Sequence, residues 1–423
     1  MNNRHANAIY TGHMILSFIR TIALACLVSV ISTGCERGTD RPPVPSEDSH
    51  TFIMYAVANN NLRGFLNGNV NMAIQAVING IPENTRILVY WDDSSTTNLS
   101  EIVRNSDGTA TKIVLKEYGE QTSTDPAVMR QVLNDVQMFA PAEVYGISLL
   151  GHGTGWFPSE LNNLQQPASG EPCLEHDLRR PEDALTRAYG ADGAALMSPD
   201  ELVSGLAPIY FDYIVFDLCF MSSIELLYDL RYNADYILAS PVEVMGNGIP
   251  YHLMLPRLFD RNYTIPQRLA NATNAIVDYY NVQSYPSAAF TVVETGKLQK
   301  VADAVKAVFA AETSEPDFGE IQYLELLSPE HAFFDLRSYI RNIATDGSME
   351  TQAALAELEA ALADVTIAER HTPRIYSALG FGGGFFEASD MCGISSYIPR
   401  EWLPVTMAAY YETEWARYTR PQQ

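Results

Sequence analysis

Two apolar segments of the chain end on residue types that suit nucleophilic chemistry. Residues 149–153 read Leu-Leu-Gly-His-Gly, and residues 214–219 read Ile-Val-Phe-Asp-Leu-Cys. A free thiol has a pKa of about 8.5 and becomes a good nucleophile at neutral pH only when a neighbouring base takes its proton. The carboxyl ends of neighbouring parallel strands meet at one edge of a sheet. The two segments therefore predict a catalytic pair, with Cys219 as the nucleophile and His152 as the base.

The glycines around His152 let the backbone approach a substrate closely. We expect the N–H groups of Gly153 and Cys219 to form an oxyanion hole for a tetrahedral intermediate. The alternative interpretation is structural, with His152 in an ordinary turn and Cys219 as a small buried apolar residue.

Three carboxylates also follow strand-like segments. Asp217 lies two residues before Cys219, so strand alternation directs both side chains to the same face. Asp217 is therefore a candidate for a pocket that binds a basic substrate side chain, and the alternative is that it caps the following turn. Asp92 and Asp93 are interpreted as turn formers.

Strand-like and helical segments alternate through the first two-thirds of the chain. Predicted strands cover residues 52–57, 86–91, 111–115, 143–150, 213–218 and 236–240, and predicted helices cover 69–79, 125–139, 222–232 and a segment that begins at residue 198. This alternation predicts an α/β fold, with a largely parallel β-sheet flanked by helices on both faces.

After residue 295 the pattern becomes richer in helices. Predicted helices cover residues 298–312, 334–344, 349–368 and 410–418, and a predicted late strand covers 393–399. The sequence thus predicts a signal segment (1–34), a flexible tether (35–50), an α/β catalytic core (51–295) and a helix-rich C-terminal subdomain (296–423) that contributes the late strand. The long irregular stretch 156–195 separates the two catalytic segments, and loops of that length are usually functional or flexible.

The N-terminal segment indicates export. An apolar stretch after Arg20 is too short to span a bilayer comfortably, and it ends at Ser32-Thr33-Gly34-Cys35. This end is similar to a bacterial lipoprotein cleavage site, which predicts lipidation at Cys35 and a periplasmic or cell-surface protein on a membrane anchor. Ser32 departs from the usual Leu, and an ordinary secretory signal and a retained anchor are the alternatives.

Removal of residues 1–34 and lipidation of Cys35 would leave three thiols, at positions 173, 219 and 392. An odd number requires at least one free cysteine. A bridge between Cys173 and Cys392 that leaves Cys219 free is compatible with the sequence, which does not establish it.

Composition and missing motifs exclude several function classes. The chain has 51 acidic and 27 basic residues, a net charge of −24, which argues against nucleic acid as a partner. No cluster of residues has metal-ligand spacing, and no phosphate-binding loop follows the first strand. The G-x-S-x-G turn of serine hydrolases is also absent.

Taken together and in order, the motifs resemble the clostripain-like cysteine peptidases, relatives of caspases, gingipains and legumains. The matching segments are 55–62 (YAVANNNL), 89–92 (VYWD), 151–156 (GHGTGW), 217–225 (DLCFMSSIE), 239–243 (ASPVE), 248–251 (GIPY) and 393–399 (GISSYIP). They extend over about residues 51–420. The ordered set is specific, whereas His-Gly or Asp-x-Cys alone would not be.

The resemblance implies a caspase-like sheet, a dyad of His152 and Cys219, and Asp217 in a pocket that selects Arg or Lys before the scissile bond. It also implies self-cleavage between the two catalytic segments, where three arginines (Arg179, Arg180 and Arg187) offer suitable bonds. No cofactor is predicted with certainty. Some relatives depend on calcium, but no calcium-binding loop is visible in this sequence.

The chain departs from the family pattern around the pocket. Leu218 replaces a small residue, Ser222 a glycine, Asn247 a second acidic residue that binds substrate in relatives, and Ile249 a tryptophan. Loss of one carboxylate could cost about 1–3 kcal/mol of discrimination for a basic side chain. The leading hypothesis is an exported, lipid-anchored cysteine endopeptidase that acts on proteins or peptides. The alternatives are a catalytically silent surface binding module, a peptidase with non-basic specificity and an acyl-transferring enzyme such as a transpeptidase.

Overall fold

A mixed sheet runs through the protein. The computed structural model describes residues 45–157, 195, 197–311, 313–327, 331–345, 347–379 and 383–420. Their strands are β1 (His50–Val57), β2 (Thr85–Asp92), β3 (Thr97–Arg104), β4 (Ala110–Glu117), β5 (Val144–Leu150), β6 (Phe211–Asp217), β7 (Ala234–Ala239), β8 (Ala289–Glu294), β9 (Phe334–Asp335), β10 (Thr366–His371), β11 (Arg374–Ser377), β12 (Gly384–Glu387) and β13 (Ser395–Ser396).

Nine of these strands form the main sheet, in the order β10-β8-β7-β6-β5-β1-β2-β3-β4. The five central strands, from β7 to β2, are parallel to one another, and antiparallel pairs complete both edges. The central strands are almost entirely buried, which is why they are nearly continuous apolar runs in the sequence. The predicted fold class is confirmed.

Helices cover both faces of the sheet. They are α1 (Arg63–Asn79), α2 (Pro126–Phe139), α3 (Pro199–Leu206), α4 (Ile224–Asp229), α5 (Tyr251–Leu258), α6 (Ile265–Asn281), α7 (Leu298–Ala310), α8 (Leu336–Ile343), α9 (Met349–Val365), α10 (Pro404–Tyr411) and α11 (Glu414–Thr419). Helix α5 packs against α1 and α6, whereas α3 packs against α2 and α4.

Local sequence signals set several helix starts. Asp125 accepts a hydrogen bond from the Ala127 N–H, and Pro126 occupies the first turn of α2. Ser198 and Glu201 form a capping box at the start of α3. The predicted helix start at Asp125-Pro126 is confirmed.

Five segments named here differ from the sequence prediction. The antiparallel strands β3 and β8 were not predicted, and the helix predicted over 349–368 ends at Val365 because 366–371 form β10. Consecutive β-branched residues at 365–367 favour a strand over a helix at this point. The late strand predicted over 393–399 is reduced to β13, and the predicted terminal helix is divided between α10 and α11. The predicted region boundaries at residues 35, 51 and 296 stay predictions.

Candidate functional site

Strand register brings the two predicted catalytic segments to the same edge of the sheet. Strands β5 and β6 are parallel neighbours, and Leu150 aligns with Asp217. His152 and Cys219 each lie two residues beyond this aligned pair. Since neighbouring strands are about 4.8 Å apart, the two side chains arise from adjacent positions at the carboxyl edge.

Glycines allow the His152 loop and the Cys219 loop to pack backbone against backbone. A Cβ atom at Gly153 would lie 2.6 Å from the Cys219 carbonyl oxygen and 2.8 Å from the Leu218 Cβ atom. At Gly155, where φ is +63°, a Cβ atom would lie 2.8 Å from the Phe220 carbonyl oxygen. No side chain fits at either position without moving the Cys219 loop.

We expect Gly153→Ala to lower kcat by about 10²-fold, because its methyl group would displace the backbone beside Cys219 and small misplacements in a catalytic site have effects of this size. Peptide hydrolysis and the melting temperature measure the effect. Gly64→Ala on α1 is the matched control, since a Cβ atom there meets nothing within 4 Å. Unchanged kcat in Gly153→Ala would contradict close packing of the two loops during catalysis.

Cys219 is fully buried beneath the segment that follows β7. The backbone N–H of Val244 donates to its Sγ atom, with an N–S distance of 3.1 Å. Phe220, the next residue, has φ of +61°, a left-handed conformation that costs a non-glycine residue roughly 1–2 kcal/mol. Its N–H bonds to the Val242 carbonyl at 3.0 Å, and its ring stacks on Phe333 with centroids 4.2 Å apart. These contacts hold the strained backbone beside the thiol.

The half-buried imidazole of His152 is held by Asn61. The His152 Nε2 and Asn61 Oδ1 atoms are 2.7 Å apart. An amide oxygen only accepts hydrogen bonds, so Nε2 carries the proton and Nδ1 is the basic nitrogen of the neutral ring. No role for Asn61 is predicted from the sequence. The signal that could have found it is the run of three asparagines at the carboxyl end of β1, which is the strand beside β5.

Asp217 is fully buried on the face of the sheet that α5 covers. Its carboxylate accepts hydrogen bonds from the Ile249 N–H (3.0 Å) and the Tyr251 hydroxyl (3.2 Å). The Tyr251 and Ser148 hydroxyl oxygens are 2.6 Å apart. Asp217 therefore braces the loop that leads into α5.

The same loop carries Asn247, whose side chain is exposed. The buried Asn69 side chain donates to the Asn247 carbonyl at 2.8 Å, and the Tyr280 hydroxyl donates to the Gly248 carbonyl at 2.6 Å. Gly248 has φ of +63°, which favours glycine there. The structure thus places Asp217 against the loop that carries Asn247, next to the segment that covers Cys219.

The C-terminal part of the chain anchors the Cys219 loop through hydrogen bonds to Ser222. The Ser222 hydroxyl donates to the Gly393 carbonyl at 2.7 Å, and the Ser395 N–H donates to the Ser222 carbonyl at 2.8 Å. Ser222, one of the departures from the family pattern, thereby gains a structural role. It ties the Cys219 loop to the segment that contains β13.

A buried carboxyl group completes this anchor. Glu225 on α4 accepts hydrogen bonds from the Tyr397 N–H (2.8 Å) and the Ser396 hydroxyl (3.1 Å). Complete burial raises the pKa of Glu225 to about 7, and the nearby Asp229 carboxylate acts in the same direction. Tyr397 also packs against Trp156, four residues after His152, with ring centroids 5.1 Å apart. One C-terminal segment therefore contacts both the His152 loop and the Cys219 loop.

Asp92 and Asp93 act as turn formers, as predicted. Asp93 accepts hydrogen bonds from the Ser95 and Thr96 N–H groups at 3.1 and 3.0 Å. Asp92 accepts from the Ser94 N–H at 3.3 Å and the Thr97 hydroxyl at 2.9 Å.

Several predictions concern residues outside the described ranges. These are the signal segment, the lipidation site Cys35, Cys173 and the arginines at 179, 180 and 187. Within the ranges that the structure describes, no three His, Cys, Asp or Glu side chains are grouped to hold a metal ion. Calcium dependence stays a prediction. No helix of the described part of the chain is long and apolar enough to cross a membrane.

One family model matches part of the chain. The family model of the clostripain family, Peptidase_C11, matches residues 179–357, a stretch that contains Asp217, Cys219 and Asn247. None of the curated proteins compared with the chain matches it.

Solved structures of C11 peptidases have the same fold. An inactive zymogen C11 protease from Parabacteroides distasonis is 26% identical, with a TM-score of 0.73 over 89% of this chain and 99% of its own. A secreted C11 cysteine protease from Bacteroides thetaiotaomicron is 24% identical, with a TM-score of 0.74 over 89% of this chain and 100% of its own. Its complex with an irreversible peptide inhibitor has a TM-score of 0.72 at 23% identity, over 88% of this chain and 99% of its own. The chain is thus similar to the clostripain family in sequence over residues 179–357 and to C11 peptidases in fold, and it is a cysteine-type peptidase.

Proposed function

We propose that the protein is an exported cysteine endopeptidase that cleaves after Arg or Lys, with Cys219 as nucleophile and His152 as acid and base. The observation that carries this proposal is the register of β5 and β6, which starts both residues from adjacent positions at one sheet edge. The substrates are peptides or proteins, and the peptide inhibitor bound by the Bacteroides thetaiotaomicron protease supports that class.

The chemistry follows from the tautomer that Asn61 holds. His152 Nδ1 takes the proton of the Cys219 thiol, and the thiolate attacks the scissile carbonyl. The N–H groups of Gly153 and Cys219 stabilise the oxyanion. The imidazolium then protonates the leaving amine, and water attacks the thioester with His152 as the base.

Asn61 acts in this scheme as a positioning residue. We expect Asn61→Ala to lower kcat/KM by about 10- to 100-fold, because the imidazole loses the bond that fixes its tautomer and orientation. Asn61→Asp places a negative charge beside the ring and favours the imidazolium. The acidic limb of the pH–rate profile should therefore move to higher pH. Asn67→Ala, an exposed position on α1, is the control. Wild-type rates and an unchanged pH–rate profile in both Asn61 variants would show that Asn61 does not position His152.

Asp217 is proposed to provide the negative charge that attracts a basic side chain. We expect Asp217→Asn to reduce the preference for an arginyl over a norleucyl substrate by about 10- to 100-fold, since one charge-assisted contact of this kind is lost. The ratio of the two kcat/KM values measures it and cancels any general loss of active protein. An unchanged ratio would assign Asp217 solely to bracing the loop before α5.

Access to Cys219 is proposed to require movement of the segment over it. The thiol has no exposed surface, and Val244 lies against its sulfur. Self-cleavage at Arg179, Arg180 or Arg187 would cut the stretch between His152 and Cys219, and we propose that this cut lets the two loops move relative to the segment over the thiol. The description of the Parabacteroides distasonis protein as an inactive zymogen supports such a latent state. Cys219→Ala should stay uncut under conditions in which the wild type is cleaved.

Export on a lipid anchor at Cys35 is part of the proposal, and the sequence of residues 20–35 supports it. Mass spectrometry of the mature N-terminus should find a diacylglyceryl group on Cys35, and Cys35→Ser should abolish it. An unmodified N-terminus at another residue would indicate an ordinary secretory signal instead.

One labelling experiment tests the peptidase proposal. The full chain is incubated with an arginyl or a norleucyl chloromethyl ketone, and the adducts are mapped by mass spectrometry. We expect faster labelling of Cys219 by the arginyl reagent and no adduct at this position in Cys219→Ala. Equal labelling by both reagents would retain the nucleophile and remove the basic specificity. No labelling of Cys219 would favour the catalytically silent binding module, and peptide ligation in place of hydrolysis would indicate a transpeptidase.

A further inference from the structure

An apolar cavity opens beside His152, on the side of the sheet that α2 and α3 cover. It contains about 790 Å³ of space, including its open mouth. Apolar side chains from α2, α3, α4, β5 and the Cys219 loop line it, among them Met129, Leu202, Leu226, Leu149, Leu218 and Met221. The described walls include no Asp, Glu, Lys or Arg side chain. The cavity therefore suits an uncharged, apolar group.

The cavity and Asp217 lie on opposite faces of the sheet. Asp217 aligns with Leu150, and its carboxylate bonds to Tyr251 on α5. Leu149, the neighbouring residue of β5, points to the other face, where it lines the cavity with Met129 of α2. His152 and Gly153 form part of the cavity rim, between the two faces.

The direction of the reaction connects the cavity to one part of the substrate. The acyl half of the substrate stays on Cys219 Sγ, which contacts Val244 in the segment that leads towards the Asp217 loop. The leaving amine receives its proton from the imidazole, so the leaving half must pass beside His152. A peptide chain that crosses the catalytic pair from the Asp217 side therefore reaches the cavity with its leaving half.

We propose that this cavity binds the side chain of the first residue after the scissile bond, and that it selects apolar side chains there. The proposal rests on the proposed peptidase function. It also gives a role to Leu218, which stands where relatives have a small residue and which contributes a wall of the cavity. The enzyme then selects two substrate residues, a basic one before the scissile bond and an apolar one after it.

Internally quenched peptides that differ only in the residue after a fixed Arg test this. We expect the full-length wild type to cleave the Arg-Leu peptide with a kcat/KM about tenfold or more above that of the Arg-Gly peptide, and to cleave the Arg-Asp peptide more slowly still. Leu202→Ala enlarges the cavity, so it should reduce the advantage of Leu over Gly severalfold and favour Phe. Leu206→Ala removes the same atoms from the same helix outside the described cavity wall, and it should leave the ratio unchanged.

Labelling by the arginyl chloromethyl ketone separates the two proposals, because this reagent carries no residue after the reacting carbon. Labelling of Cys219 together with equal cleavage of the Leu, Gly and Asp peptides would overturn the cavity's role and keep the peptidase. No labelling of Cys219 would overturn the proposed function and the subsite with it. Should Leu202→Ala fail to fold, Leu202→Met is the second variant, and the wild-type ratios alone still decide the preference.

Discussion

Cys219→Ala is expected to lower peptide hydrolysis by at least about 10⁴-fold, because the methyl group cannot form the thioester and only binding and oxyanion contacts remain. His152→Ala should have an effect of similar size. The double variant should be no worse than either single variant, because the two residues act as one unit. Steady-state hydrolysis of an arginyl substrate measures all three, and circular dichroism verifies that each variant folds.

The chain offers a matched control in Cys392, the other free cysteine of the described residues. Cys392 is buried, and burial together with the neighbouring Asp335 raises the pKa of its thiol well above the ordinary value. It therefore stays a protonated, unreactive thiol. Cys392→Ala should keep kcat within a few-fold of wild type. Activity that survives in Cys219→Ala and disappears in Cys392→Ala would show that Cys392, and not Cys219, is the nucleophile.

Glu225→Gln is expected to remove a large pH dependence of stability. The pKa of this buried carboxyl is about 7 in the folded protein, whereas an exposed glutamate in an unfolded chain has the ordinary pKa of 4.5. Between these two values the folded state binds more protons than the unfolded state. The free energy of unfolding therefore falls as pH rises from about 4.5 to about 7, and the stability from this group is present only below that window. The expected loss is about 2–3 kcal/mol between pH 5 and pH 8.

Urea unfolding of wild type and Glu225→Gln at pH 5 and pH 8 measures this difference. The neutral amide can still accept from the Tyr397 N–H, so the variant should be less sensitive to pH than wild type and relatively more stable at pH 8. Asp229 and Asp335, whose pKa values burial also raises, are present in both proteins and cancel in the comparison. Glu387→Gln, at an exposed position, is the control. Parallel pH profiles for wild type and Glu225→Gln would show that Glu225 is charged in both states.

Much of the site was readable from the sequence because its signals are local. Each proposed catalytic residue follows its own apolar strand, and strand alternation predicts that Asp217 and Cys219 share a face. The roles of Asn61 and Glu225 were not predicted, because their hydrogen-bond partners are distant along the chain. Asn61 is 91 residues from His152, and Glu225 is 172 residues from Tyr397. No periodicity or spacing connects positions so far apart.

The sequence by itself determined the alternation of strands and helices, the order of the motifs and the residue types at the ends of β5 and β6. These depend on hydrophobic period, on turn chemistry and on the identity of single residues. Only the tertiary structure decided the sheet order, the bond from Asn61 to His152, the cover over Cys219 and the apolar cavity beside it. Each of these depends on packing between elements that are far apart in the chain, since side-chain contacts across a sheet follow from topology and not from neighbouring letters.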